Sequence, residues 1–279
     1  MSSLIEAARY GDEPPFTEGR LRYRPIERVS NATNLVLRGR VQIQVRTGSV
    51  FAIVKLLKDR GFSVESACAW LARYLGLPAP EALWVWVEAN RVTDGWPYPG
   101  TSRLCFGTEH IPNALPMNLD RLSDDYLAAH MKIDDVLLAK IAMFDAFIGN
   151  DDRHDGNILW SPAKGVFLID HEKAMGGEHM NLFSTIPRPG PNELLRRLCA
   201  LPQARRLALR NTVHSFCADC VNAVERIPIE QLASTAQLAD GIDRYLKQSA
   251  DRLSEVVSKA LGLPELFNIK RPDVGTSPL

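Results

Sequence analysis

The sequence predicts an α+β protein with two lobes, a small antiparallel β-rich N-terminal lobe with one helix and a mainly helical C-terminal lobe. Three observations predict it. Apolar residues alternate at Leu21, Tyr23, Ile26 and Val29, at Leu35, Leu37, Val41, Ile43 and Val45, and at Val50, Ala52, Val54 and Leu56, which is the period of strands. They switch to helical spacing at Val64, Ala67, Leu71 and Tyr74 or Leu75, and again at Leu137, Ile141, Phe144 and Ile148. Beyond Pro191 the pattern is helical over about 192–199, 203–222, 229–234 and 239–261.

Taken in order, residues 1–18 form a polar, Pro/Gly-bearing arm, 19–111 the N-terminal lobe, 112–271 the helical C-terminal lobe and 272–279 a disordered tail. Ser30-Asn-Ala-Thr33 and Arg46-Thr-Gly48-Ser are turns between the first three strands. Lys55 is the only lysine embedded in an apolar strand, Phe51-Ala-Ile-Val-Lys-Leu-Leu57. An ammonium there is costly without an anionic partner, and nucleotide phosphates would supply one; a strand side facing water is the alternative. Gly61-Phe-Ser63 opens a helix with Ser63 as N-cap, and Gly76 and Pro78 stop it. Glu65 sits at the edge of that helix's apolar stripe, where it can reach back to Lys55 or simply favour the helix N-terminus. Glu81–Ala89 and Arg103–Gly107 alternate as further strands, and 112–130, with Pro112 and Pro116, connects the lobes. A helix then begins at a cap, Asp134 or Asp135.

That helix delivers the chain to Phe147–Met175, around which the rest is arranged. Asp152-Arg-His154-Asp-Gly-Asn157, a short apolar strand, a turn and a second strand ending in Asp170 fit phosphoryl-transfer chemistry. Such chemistry needs a carboxylate to orient an incoming hydroxyl, an asparagine a few residues later, and an aspartate after a following strand to hold metal. Asp152, Asn157 and Asp170 stand in that order, and His154 is placed to hold the loop backbone. The turn Ser161-Pro-Ala-Lys-Gly165 joins the strands into a hairpin, so that Asn157 and Asp170 can converge on one metal. An acidic solvated loop without chemistry is the alternative.

DxHxxN followed by an apolar strand and Asp, preceded by Phe-Ile-Gly-Asn, resembles the HipA family of serine/threonine kinases, in particular its short HipA-like members. Phosphatidylinositol kinases and aminoglycoside phosphotransferases match in part. The resemblance implies a kinase fold, ATP and Mg2+ as cofactors, and a protein substrate with a Ser or Thr acceptor. It implies Asp152 with His154, Asn157 and Asp170 as catalytic residues, the last two binding metal. Lys55 would hold the phosphates, paired with Glu65, the backbone at Glu109 and Ile111 would contact adenine, and Ser30, Asn31 and Thr33 would stand in for a phosphate loop. It also implies a toxin role with a DNA-binding antitoxin partner. The chain departs from the kinase pattern in two places: that loop has no glycine, and His171-Glu172 replaces the Phe-Gly that follows the metal aspartate in many kinases. A small-molecule or lipid kinase, and an ATP-binding pseudokinase, remain as alternatives.

Composition narrows the classes. Lys+Arg and Asp+Glu both number 33 in 279 residues, so no global field attracts nucleic acid or an anionic membrane. Arg20, Arg22, Arg24 and Arg28, and later Arg196, Arg197, Arg205, Arg206 and Arg210, read as solvated strand and helix faces, with a local basic patch as the alternative. No apolar run approaches the roughly 20 residues of a membrane span, and the first residues lack a secretory pattern, so a cytoplasmic location is expected. Of the five cysteines, Cys217 and Cys220 form a CxxC without a second pair, in a helix-like segment, so reduced buried thiols are expected rather than zinc.

Overall fold

Alternation along the first half does produce strands. The computed structural model describes residues 15–22, 27–28, 34–44, 48–92, 100–117, 121–151, 153, 155–177, 182 and 193–263. Its first elements are β1 (Thr17–Leu21), β2 (Glu27–Arg28), β3 (Leu35–Ile43) and β4 (Ser49–Leu56), then helix α1 (Asp59–Tyr74), β5 (Ala82–Glu88) and β6 (Ser102–Glu109). The strands order as β1-β5-β6-β4-β3-β2, and β1 also pairs with β3, so five of them close into a ring. Leu37, Val41, Ile43, Ala52, Val54, Leu83, Val85 and Cys105 fill its interior. Space there is short: Gly19 of β1 lies against Val41, into which a Cβ would run.

This corrects the expected antiparallel sheet. β1 runs parallel to β5, with Gly19 opposite Val85, and antiparallel to β3, with Gly19 opposite Ile43. A ring of this size leaves β1 no other way to satisfy both edges at once. The strand also starts at Thr17, inside the segment read as an arm.

α1 begins at Lys58 as N-cap, not at Ser63. The Ser63 hydroxyl instead donates back to the Asp59 carbonyl at 2.7 Å, a bond made inside a helix. Nor is the helix one-sided. Every residue from Gly61 to Ala72 is buried, because β5 and β6 cover one side while later helices cover the other. One hydrophobic core therefore runs from Trp84 and Phe106 on the outside of the ring, through Val64 and Leu71, to Phe144, Phe216 and Leu246 among the helices.

The second half comprises a short strand β7 (Leu115–Pro116), helix α2 (Asp135–Ile148), the hairpin β8 (Ile158–Ser161) and β9 (Gly165–Leu168), and helices α3 (Glu193–Cys199), α4 (Gln203–Ala208), α5 (Arg210–Arg226), α6 (Ile229–Leu232) and α7 (Ala236–Leu261). β7, in the stretch read as a connection, pairs with β8 and makes the hairpin three-stranded. The helix expected over 203–222 is two, broken at Leu209. Asp134 caps α2 by accepting from the Leu137 amide at 2.8 Å. Gly149 ends it at φ +61°, where a Cβ would run into the Tyr245 hydroxyl of α7. Among the described residues no helix is long and apolar enough to cross a membrane.

Candidate active site

The ring places Lys55 on the opposite face of β4 from Ala52 and Val54, toward α1 and the hairpin. Its ammonium lies 2.9 Å from Asp170 Oδ1, 3.5 Å from Glu172 Oε2 and 3.8 Å from Glu65 Oε1. Three carboxylates thus surround one cation. Burial alone would depress the Lys55 ammonium, but the fields of Glu65, Asp170 and Glu172 outweigh it and hold it above the usual lysine range.

Glu65 is buried in α1, and burial alone would raise its pKa. Lys55, the His171 amide at 2.6 Å and the His171 ring overcome that and draw it down to about 2. The His171 ring in turn packs edge-on against Phe144 of α2. Glu172 behaves oppositely: its burial outweighs the pull of Lys55, Asp170 and Glu65 add to it, and its pKa rises. Asn34, directly after the turn read as a phosphate loop, donates from Nδ2 to Glu172 Oε1 at 2.7 Å.

Acid should expose the Glu65 contribution. A glutamate held at about 2 when folded, against 4.5 as its ordinary value, stabilises the fold fully above the ordinary value. That contribution, roughly 3 kcal/mol, disappears as pH falls from there toward 2. Urea midpoints measured at stepped pH should decline over this window, and decline less in Glu65→Gln. Equal slopes would show that Glu65 is not held ionised.

Asp170 follows β9 with φ +64°, a left-handed conformation that a non-glycine residue adopts at a cost. Asn157 ends the turn before β8, and its carbonyl accepts from the Ile169 amide at 3.1 Å, so the hairpin does bring the backbones carrying Asn157 and Asp170 together. Between the two, Arg153 is buried against Asp145 of α2. Further on, the Met175 amide bonds the Ile148 carbonyl at 2.8 Å and Arg60 of α1 donates to the Met175 carbonyl at 3.1 Å, tying the segment after Asp170 to both helices.

Oxygen atoms of Glu65, Asp170 and Glu172 all lie within 4.8 Å of one another. An all-oxygen set with more negative charge than Lys55 offsets suits a hard divalent cation such as Mg2+. The other expected residues fall differently. Asp152, His154, Ser30, Asn31 and Thr33 lie outside the described residues. Glu109 ends β6 opposite Ala52, its amide donating to the Glu81 carbonyl at 2.9 Å and its carboxylate 3.5 Å from Lys164. Thr108 and Glu109 lie within β6, and Ile111, just beyond, is buried.

Residues that sequence reasoning missed are Asn34, Glu172, Arg153 and Asp145. Asp145 carried a readable signal, an acid in the otherwise apolar run from Ile141 to Ile148. Glu172 carried none, because its surroundings depend on Lys55 of β4 and on Asn34, both distant in sequence.

A strand lysine gathered with a helix glutamate and a post-strand aspartate defines a kinase-type site. The family model for HipA-like kinases matches residues 48–261, and the chain belongs to that family. Among solved structures it is similar to the Helicobacter pylori proinflammatory kinase CtkA, with a TM-score of 0.50 and 10% identity over 88% of this chain and 96% of that one. That likeness is one of fold. No curated protein matches the sequence.

Proposed function

We propose that this chain is an ATP- and Mg2+-dependent kinase, with a two-lobed working architecture, that transfers the γ-phosphoryl group to a Ser or Thr hydroxyl of a protein. The observation that carries the reading is the half-buried ammonium of Lys55, 2.9 Å from Asp170 and 3.8 Å from Glu65, joining β4, α1 and the segment after the hairpin. In this reading Glu65 holds Lys55, which binds the phosphates of ATP. Asn157 and Asp170, with Glu172 alongside, would hold Mg2+, whose charge offsets that of the phosphate oxygens. Asp152 orients the acceptor hydroxyl and takes its proton as the new O–P bond forms and the bond from the γ-phosphorus to ADP breaks. Family membership supports phosphoryl transfer. The protein acceptor, a toxin role with an antitoxin partner, and a cytoplasmic location without nucleic-acid or membrane binding are the finer parts of the proposal.

The test is incubation with γ-labelled ATP and Mg2+ alongside a cell extract, a panel of small alcohols and amines, and phosphoinositide vesicles. Label on Ser or Thr of a protein, lost in Asp152→Asn, is expected. Label only on a small molecule or lipid would replace the acceptor class, and ATP bound without transfer to any acceptor would make the chain a pseudokinase.

A further inference from the structure

Arg153 belongs to the catalytic segment by sequence, yet its guanidinium faces away from solvent altogether: its side chain is 1% exposed and that of its partner, Asp145, 0%. Nε donates to Asp145 Oδ2 at 3.0 Å and Nη2 to Oδ1 at 2.8 Å, a two-pronged pairing of planar groups. Nη1 points the other way. It donates to the Asn157 carbonyl at 3.0 Å and to the Ile169 carbonyl at 2.9 Å.

Those two carbonyls matter because of what adjoins them. One belongs to Asn157 itself and the other to the residue before Asp170, so a single nitrogen bridges the two segments whose side chains converge in the kinase reading. The Asn157 carbonyl already accepts from the Ile169 amide, and Nη1 adds a second tie across the mouth of the hairpin. Asp145 is itself fixed, since Asn150 donates to it from Nδ2 at 3.2 Å and the Asn150 amide bonds its carbonyl at 2.8 Å. The clamp therefore rests on α2, the most buried helix of the second half.

Stability alone explains this poorly. A buried ion pair loses about as much in desolvation as it gains in attraction, and apolar residues of similar volume are often as stable. What an apolar pair cannot do is hold two carbonyls at fixed separation beside a residue in the left-handed region. Lysine cannot do it either, because a point donor on a flexible stem lacks the planar fork that serves a carboxylate and two carbonyls together.

We propose that Arg153 is a positioning residue: anchored on Asp145, it sets the separation of Asn157 and Asp170 and so the geometry of the divalent-cation site. The proposal rests on the kinase reading for what those two side chains hold. The test uses the full chain, Mn2+ as probe, and a non-hydrolysable ATP analogue at saturation, with Mn2+ binding followed by its electron paramagnetic resonance signal. Two variants are compared with wild type: Arg153→Lys, which keeps a cation on Asp145, and Asp145→Asn/Arg153→Gln, which makes the pair neutral. Both should weaken Mn2+ binding by roughly 10- to 100-fold, the usual effect of removing a group that orients metal ligands. Affinity for the analogue without metal should stay at the wild-type value.

Mn2+ affinity at the wild-type value in either folded variant would overturn the proposal. So would unfolding of both, which would assign the pair to stability. If wild type binds Mn2+ but transfers no phosphoryl group, the kinase reading fails while the Mn2+ affinities still decide the clamp; if wild type binds no Mn2+, the clamp has nothing to position and the proposal falls.

Discussion

Asp170→Asn should lower phosphoryl transfer by about a thousandfold, the scale on which removal of one preorganised electrostatic group acts, while leaving the fold intact. The fold survives for two reasons. Asparagine tolerates the φ of +64° that position 170 requires, and Lys55 keeps Glu65 and Glu172 as partners when the third charge is lost. Activity should not survive in the proposed kinase, because the neutral amide is a weak ligand for a hard cation and no longer offsets the Lys55 ammonium. Initial rates with labelled ATP, beside circular dichroism spectra, make the check. A variant with wild-type rates would remove Asp170 from the site.

Asp145→Ala should be the most destabilising single change near the site. It leaves the Arg153 guanidinium buried with one of its two anchors gone and removes an acceptor of Asn150. Breaking a buried pair from one side costs about 3–5 kcal/mol. For a chain of this size that corresponds to a melting temperature lower by roughly 10 °C. Calorimetry should rank wild type above Asp145→Asn and Asp145→Asn above Asp145→Ala, since the asparagine amide oxygen still accepts from Arg153. A loss no larger than that of an ordinary surface change would show that Arg153 finds other partners at no cost.

How much of this was legible in the sequence depended on distance along the chain. The start of α2 was readable, because Asp134 acts within a turn of the helix it caps. The hairpin was readable for the same reason, since Ser161–Gly165 supplies its turn and the strands it joins are adjacent in sequence. α1 was misread at its start because Ser63 has the composition of a cap and the hydrogen bond of an interior residue. Glu65 looked like an edge residue because nothing in a single helix shows that β5, β6 and α7 will cover all its sides. Asn34 and Glu172 lie 138 residues apart, one before β3 and the other after β9. Arg153 was read past on the way from Asp152 to His154, although a charged residue inside an apolar helix, Asp145, was asking for a partner.

The parallel register of β1 with β5 bears on the order in which the molecule assembles. Gly19 can meet Ile43 as soon as β3 exists, but it cannot meet Val85 until α1 has been made and β5 has followed it. Closing so long a loop has an entropic cost that nearby pairings do not share, and contacts of this separation slow folding. β1 is therefore held along its β3 edge before its β5 edge can be joined. Until then β5 is paired only with β6 and its other edge stays open, so the ring closes only when β1 reaches across to it.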